Sequence, residues 1–146
     1  MIALAVAGAI GALLVALWAV HRYELLSLVE VSGSSMAPDF RPGDRVLAVR
    51  KGSWLPLRRG CAVIVDRTDP DGGPGERPPA LFLKRLVAVP GDPVPAPFTD
   101  LPGFGPGERV PPGRFLVLGR HHASVDSKQW GYLRRSDVRA VVIGRV

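Results

Sequence analysis

Leu81-Phe82-Leu83-Lys84-Arg85-Leu86-Val87-Ala88-Val89 is the stretch that decides the fold class. Apolar residues dominate it, and Pro90-Gly91 closes it, so it reads as a strand. Side chains alternate across a strand. Lys84 therefore shares a face with Phe82, Leu86 and Ala88, while Arg85 lies on the other with Leu83 and Val87. An ammonium on an apolar face is partly desolvated, and burial lowers a lysine pKa from about 10.4; reaching about 7 takes roughly 4–5 kcal/mol of differential destabilisation. A neutral Lys84 is a base. The alternative is a strand lysine whose stem lies on the sheet and whose head snorkels to water. Arg85 stays charged and reads as a structural or anchoring cation.

Outward from this run the chain keeps the same character, short Val- and Leu-rich segments divided by Pro and Gly. Strands are predicted over Leu28 to Val31, Arg45 to Arg50, Cys61 to Asp66, Ala80 to Val89, Phe115 to Leu118 and Val138 to Val146. Pro42-Gly43, Pro90-Gly91 and Pro112-Gly113 each bound a run, where Pro presets φ and Gly admits positive φ. No long amphipathic helix follows residue 27, so the class is mainly β. Arg67 to Pro79 and Asp92 to Pro112, crowded with Pro and Gly, are expected to be exposed loops. There is no internal repeat.

The N-terminus differs. Ile2 to Val20 holds no charged residue, and a helix of about 19 residues rises about 28 Å, enough for a bilayer. Trp18 and Tyr23 bracket its far end, as expected where a span meets headgroups. No Lys or Arg precedes the run, and Leu17-Trp18 spoils a small-x-small cleavage pattern, so a retained anchor over residues 1–22 is expected instead of a cleaved leader. Residues 23–146 then suffice for one modest domain. The 19 Lys and Arg against 13 Asp and Glu give +6, but the cations are scattered from Arg22 to Arg145. Nucleic-acid binding concentrates them, so no nucleic-acid partner is expected; scattered charge fits a solvated face near an anionic surface, here membrane lipid. The single Cys61 excludes an internal disulfide and sits in an apolar run, which predicts a small core residue and no nucleophile.

The remaining chemistry lies in Val31-Ser32-Gly33-Ser34-Ser35-Met36-Ala37-Pro38. A serine hydroxyl is a poor nucleophile until a base takes its proton, and glycine lets backbone amides approach a substrate carbonyl. Alone, such a stretch is usually only a turn, for Ser32 and Ser34 as for Ser35. Adjacent His121-His122 side chains diverge on extended backbone and lack ligand spacing, so no metal site is expected.

Taken together, Ser35-Met36-x-Pro38, Gly43-Asp44, Lys84-Arg85 before Pro90-Gly91-Asp92, and Gly119 with Ser124-x-Asp126-Ser127-x-x-Trp130-Gly131 resemble the successive boxes of the type I signal peptidases, membrane-bound Ser-Lys endopeptidases. Order and rough spacing match from residue 31 to 146. The resemblance implies that Ser35 attacks the scissile carbonyl and that Lys84 is the general base. It implies that Ser124 orients Lys84 and that Asp126 supports the region by an ion pair, by position with Lys128. It also implies the Ser35 backbone N–H as an oxyanion donor. Departures occur at three places. Gly33 stands where many members carry a serine that supplies a second oxyanion donor. Arg120-His121-His122-Ala123 replaces the usual Asp-Asn-Arg-Asp-Asn before the orienting serine, and Asp39 replaces a commoner threonine, taken as a tolerated turn substitution.

The resemblance further implies an antiparallel signal-peptidase-like β-domain outside the membrane and preceded by one transmembrane helix. The implied enzyme needs no cofactor and cleaves signal peptides or leader sequences from exported precursors after small residues. Residues 92–112 stand where larger members insert a second β-domain. Two alternatives share the fold: a self-processing Ser-Lys protease of the repressor-cleavage type, disfavoured by the apolar N-terminus, and an inactive anchored module that binds peptides without cutting, disfavoured by retention of Ser35, Lys84, Ser124 and Asp126.

Overall fold

The computed structural model describes residues 2–22, 25–50, 56–67 and 81–146. The loop expected over Arg67 to Pro79 lies, past Arg67, outside the described residues, as does Ala80. Seven strands form one antiparallel sheet: β1 (Leu26–Glu30), β2 (Arg45–Arg50), β3 (Ala62–Asp66), β4 (Leu81–Ala88), β5 (Arg114–Leu118), β6 (Leu133–Arg134) and β7 (Val138–Arg145). Their order is β1-β2-β7-β3-β4-β5-β6. The run Ala62-Val63-Ile64-Val65, β-branched at its last three residues, is buried at all four positions, which makes β3 a central strand covered on both faces. Val63 and Val65 face a core with Leu86, Phe115, Val117, Leu133, Val138 and Val141, while Ile64 meets Ala48 and Ala140 on the opposite side.

Register shifts at Leu47/Ala48, Ile64/Val65 and Leu86/Ala88 interrupt three of the ladders. Each such irregularity bends its strand and adds twist, so the sheet curls instead of lying flat. The bend has a local consequence. Strand β5 pairs with β4 at Arg85, Leu86 and Ala88, and not at Leu81 to Lys84, so among the described residues the first half of β4 has β3 on one side only. Lys84 sits at the last position before that pairing begins.

The segment over 92–112 departs from expectation. Its Pro and Gly do make it irregular, with one short helix (α2, Ala96–Thr99, after the N-terminal helix α1, Ile2–Arg22) and a single bridge from Pro93 to Arg109. It is not, however, an exposed loop. Val94, Phe98 and Val110 are buried with Ala88 and Leu116, Phe98 completely. Phe104 stacks between Phe98 and Tyr132 with ring centroids 5.4 and 5.0 Å apart, and the Tyr132 hydroxyl donates to Glu108 at 3.0 Å. A fully buried Phe contributes about 1.5–3 kcal/mol, enough to fix a segment rich in turn residues.

Helix α1 runs Ile2–Arg22, and Ile10, Leu13, Leu14, Val15, Leu17 and Trp18 are exposed on it. Among the described residues no helix is long and apolar enough to cross a membrane.

Candidate active site

The site is built from a turn, a strand and a second turn. Residues 34–40 form a run of tight turns after β1, held by the Ala37 N–H on the Ser34 carbonyl (3.0 Å) and the Phe40 N–H on the Met36 carbonyl (3.0 Å). Met36 is buried at 1% exposure and pins the turn to the domain, while Ser35, one residue earlier, stays half-buried at the surface. At its base the Val31 N–H donates to the Asp44 carbonyl at 2.8 Å, and the Gly43 N–H donates back to Val31 at 2.7 Å.

Lys84 is buried at 1% exposure, on the face the alternation assigned to it. Its amine lies over the rings of Phe82 and Trp130, 5.7 and 5.9 Å from their centroids, and donates to the Ser124 Oγ at 2.6 Å. Burial pushes its pKa down from 10.5; the nearby Asp126 charge draws it partly back, and Lys128 lowers it again. An apolar wall with one hydroxyl acceptor is what a lysine base needs.

Ser124 is placed by the residues just after it. Asp126, with no exposure, caps helix α3 (Ser127–Trp130) through the Lys128 N–H at 3.1 Å, and its own N–H donates to Gln129 at 3.0 Å. The carboxylate also takes the Lys128 amine at 2.8 Å and the Gly119 N–H at 3.0 Å. Asp126 therefore bonds Lys128 and the backbone, not Lys84. Buried Ser127 accepts the Val117 N–H at 3.0 Å and locks α3 to β5.

Gly119 joins the two halves. A Cβ there would overlap the Oγ and Cβ of Ser124 and come within 2.8 Å of the Ser35 carbonyl oxygen. That same oxygen accepts the N–H groups of Arg120 (2.7 Å) and His121 (3.0 Å). So Ser35, Gly119, Ser124 and Lys84, scattered along the sequence, form one chain of contacts. Beside them opens a cavity of about 210 Å³, lined by Ser35, Gly33, Val29, Val31, Phe82 and Leu83 among others. Gly33 is exposed at its wall.

Three features were not legible beforehand. Trp130 completes the wall around the Lys84 amine and packs on Phe82 with centroids 5.2 Å apart. Asp39 pairs with Arg85 and Arg120 at 2.7 and 3.4 Å, so two apparent departures from the family pattern meet in one cluster. The His121 and His122 rings lie 4.4 Å apart, closer than diverging side chains would, and the His121 Nδ1 accepts the Ala123 N–H at 3.2 Å. Among the described residues no group of three or more His, Cys, Asp or Glu could hold a metal ion.

The curled antiparallel β-domain thus buries a lysine amine on a serine hydroxyl. The family model described as signal peptidase, peptidase S26, matches residues 3–97, which include Ser35 and Lys84. The chain belongs to this family of peptidases. No curated protein matches the chain.

Proposed function

We propose that the chain is a membrane-anchored serine endopeptidase that removes signal peptides or leader sequences from exported precursors after small residues, with Ser35 as nucleophile and Lys84 as base. The observation that carries this reading is the burial of Lys84 with its amine on Ser124. A solvated lysine is protonated at neutral pH and cannot accept a proton; a desolvated one aimed by a hydroxyl can.

In this mechanism the neutral Lys84 amine takes the Ser35 proton as the hydroxyl oxygen attacks the scissile carbonyl. The developing oxyanion is met by the Ser35 backbone N–H, and a lost donor of this kind typically costs about 10²–10³ in rate. Collapse breaks the C–N bond, and the Lys84 ammonium gives its proton to the leaving amine. Water, deprotonated by the same amine, then releases the acyl group from Ser35. Ser124 keeps the amine pointed at the reacting atoms through both steps, and Asp126 holds Ser124's turn.

The cavity beside Ser35 is small and largely apolar, which favours short side chains before the cut. The first half of β4, unpaired on its β5 side among the described residues, offers backbone groups that an extended peptide can pair with. On the sequence alone, the uncharged run from Ile2 to Val20 supports residues 1–22 as a single-pass anchor to the cell membrane, with residues 23–146 as an extracytoplasmic domain. The reaction calls on no cofactor.

The test is cleavage of a signal-bearing precursor by the detergent-solubilised chain beside Ser35→Ala and Lys84→Ala, with circular dichroism on each and fractionation of the wild type with membranes. Cleavage after a small residue by the wild type alone is expected. Binding of precursor by all three without cleavage would make the chain a peptide-binding relative.

A further inference from the structure

The nucleophile's turn is held from its far side by ions. Asp39, side chain 28% exposed, accepts from the Arg85 Nη2 at 2.7 Å, and the Arg120 Nε lies 3.4 Å from the same oxygen. Arg85 follows Lys84 on β4 and also donates through Nη1 to the Gly60 carbonyl at 2.7 Å, which fixes the guanidinium at both ends. Arg120 opens the turn after β5, and its backbone N–H donates to the Ser35 carbonyl at 2.7 Å. One carboxylate thus joins three segments: the turn bearing Ser35, the strand bearing Lys84 and the turn that leads to Ser124.

We infer that Asp39 is a positioning residue that sets the approach of Ser35 to Lys84 through Arg85 and Arg120. The inference rests on the reading of Ser35 and Lys84 as nucleophile and base. Two magnitudes decide it. Partly exposed ion pairs add little to stability, because water screens them and two long side chains lose freedom in forming them. A displacement of about 1 Å between reacting groups, by contrast, costs roughly 10²-fold in rate. A clamp on the turn therefore matters to the rate far more than to the fold. Asp39 does not line the cavity beside Ser35, so its effect falls on catalysis and not on substrate binding.

Asp39→Asn keeps size and removes charge. In full-length chain assayed on a precursor peptide, kcat is expected to fall roughly ten- to a hundredfold with KM within about twofold, and the melting midpoint to stay near wild type. Asp39→Glu restores the charge one methylene further out and is expected to recover part of kcat. Unchanged kcat in Asp39→Asn overturns the inference. So does a loss explained wholly by a lower melting midpoint, or a rise in KM with kcat intact, or an Asp39→Glu variant no better than Asp39→Asn. Ser35→Ala run in the same series separates the two levels: if it still cuts, the dyad reading fails and the inference with it, whereas a dead Ser35→Ala beside an unaffected Asp39→Asn sinks the clamp alone.

Discussion

Ser124→Ala removes one oxygen from the place where the Lys84 amine makes its hydrogen bond. The bond is 2.6 Å long and both residues are buried, at 1% and 4% exposure, so no bulk water stands ready to replace it. A buried donor left without an acceptor costs about 1–3 kcal/mol. The amine recovers that by swinging toward water and away from Ser35, so the same free energy reappears in the barrier. At about 1.4 kcal/mol per tenfold, kcat should drop roughly 5- to 150-fold. KM should hold, since Ser124 is not among the residues lining the cavity beside Ser35. The assay is steady-state cleavage of a precursor peptide followed by chromatography of the products, with a thermal melt to establish folding. A folded variant with kcat within twofold of wild type would refute the claim that Ser124 aims the base.

Lys84→Met should abolish cleavage and stabilise the domain near neutral pH. Burial holds the folded pKa of Lys84 below 10.5, so between the folded and unfolded values the unfolded chain binds more protons and wild-type stability rises with pH; below the folded value that stability is absent. Denaturant midpoints from pH 7 to 10.5 should climb for the wild type relative to the variant, and parallel profiles would contradict a depressed lysine. Asp126→Asn removes the charge that raises the Lys84 pKa and leaves Lys128, which lowers it, unopposed, so the acid limb of the kcat/KM profile should move to lower pH; an upward move reverses the assignment. Gly119→Ala forces a methyl group into Ser124 and the Ser35 carbonyl, and should lose activity at least a hundredfold for about 1–3 kcal/mol of stability measured in urea. Phe98→Ala should cost about 3–5 kcal/mol, and a loss below about 1 kcal/mol would return residues 92–112 to the status of a surface loop.

How much of this was written locally can be judged residue by residue. Strand β2 falls at Arg45–Arg50, the short apolar run that follows Pro42-Gly43, and β4 places Lys84 among Leu86 and Ala88 because side chains alternate along a strand. Both are properties of a few neighbouring residues. Strand β6 is two residues long and carries no period to read, and helix α3 is a single turn whose only sequence mark is the Asp126 cap with Gln129 three residues on. Pro and Gly between 92 and 112 correctly foretell irregular backbone, but irregular is not exposed, and burial of Phe98 is decided by Ala88 and Leu116. The aromatic wall of Trp130 and the pairing of Asp39 with Arg85 join residues 46 apart, and nothing within a local window encodes them. Family order pointed to Ser124 on Lys84 and Asp126 with Lys128, and the fold brings each pair together, at 2.6 and 2.8 Å; the Asp126 bond to the Gly119 N–H came only with the fold.

Strand β7 lies between β2 and β3, which do not otherwise neighbour each other in the sheet. Ser35 stands just before β2, and Lys84 is carried by β4, paired to β3. A ribosome that has delivered everything up to the turn at residue 137 has therefore made two separate ribbons, β1-β2 with Ser35 between them and β3-β4-β5-β6 with Lys84, which no strand yet joins. Val138–Arg145 pairs with both and closes the sheet. Pairing across such a sequence distance is slow compared with hairpin closure. The sheet thus closes only after Val138–Arg145 has been made, late in synthesis.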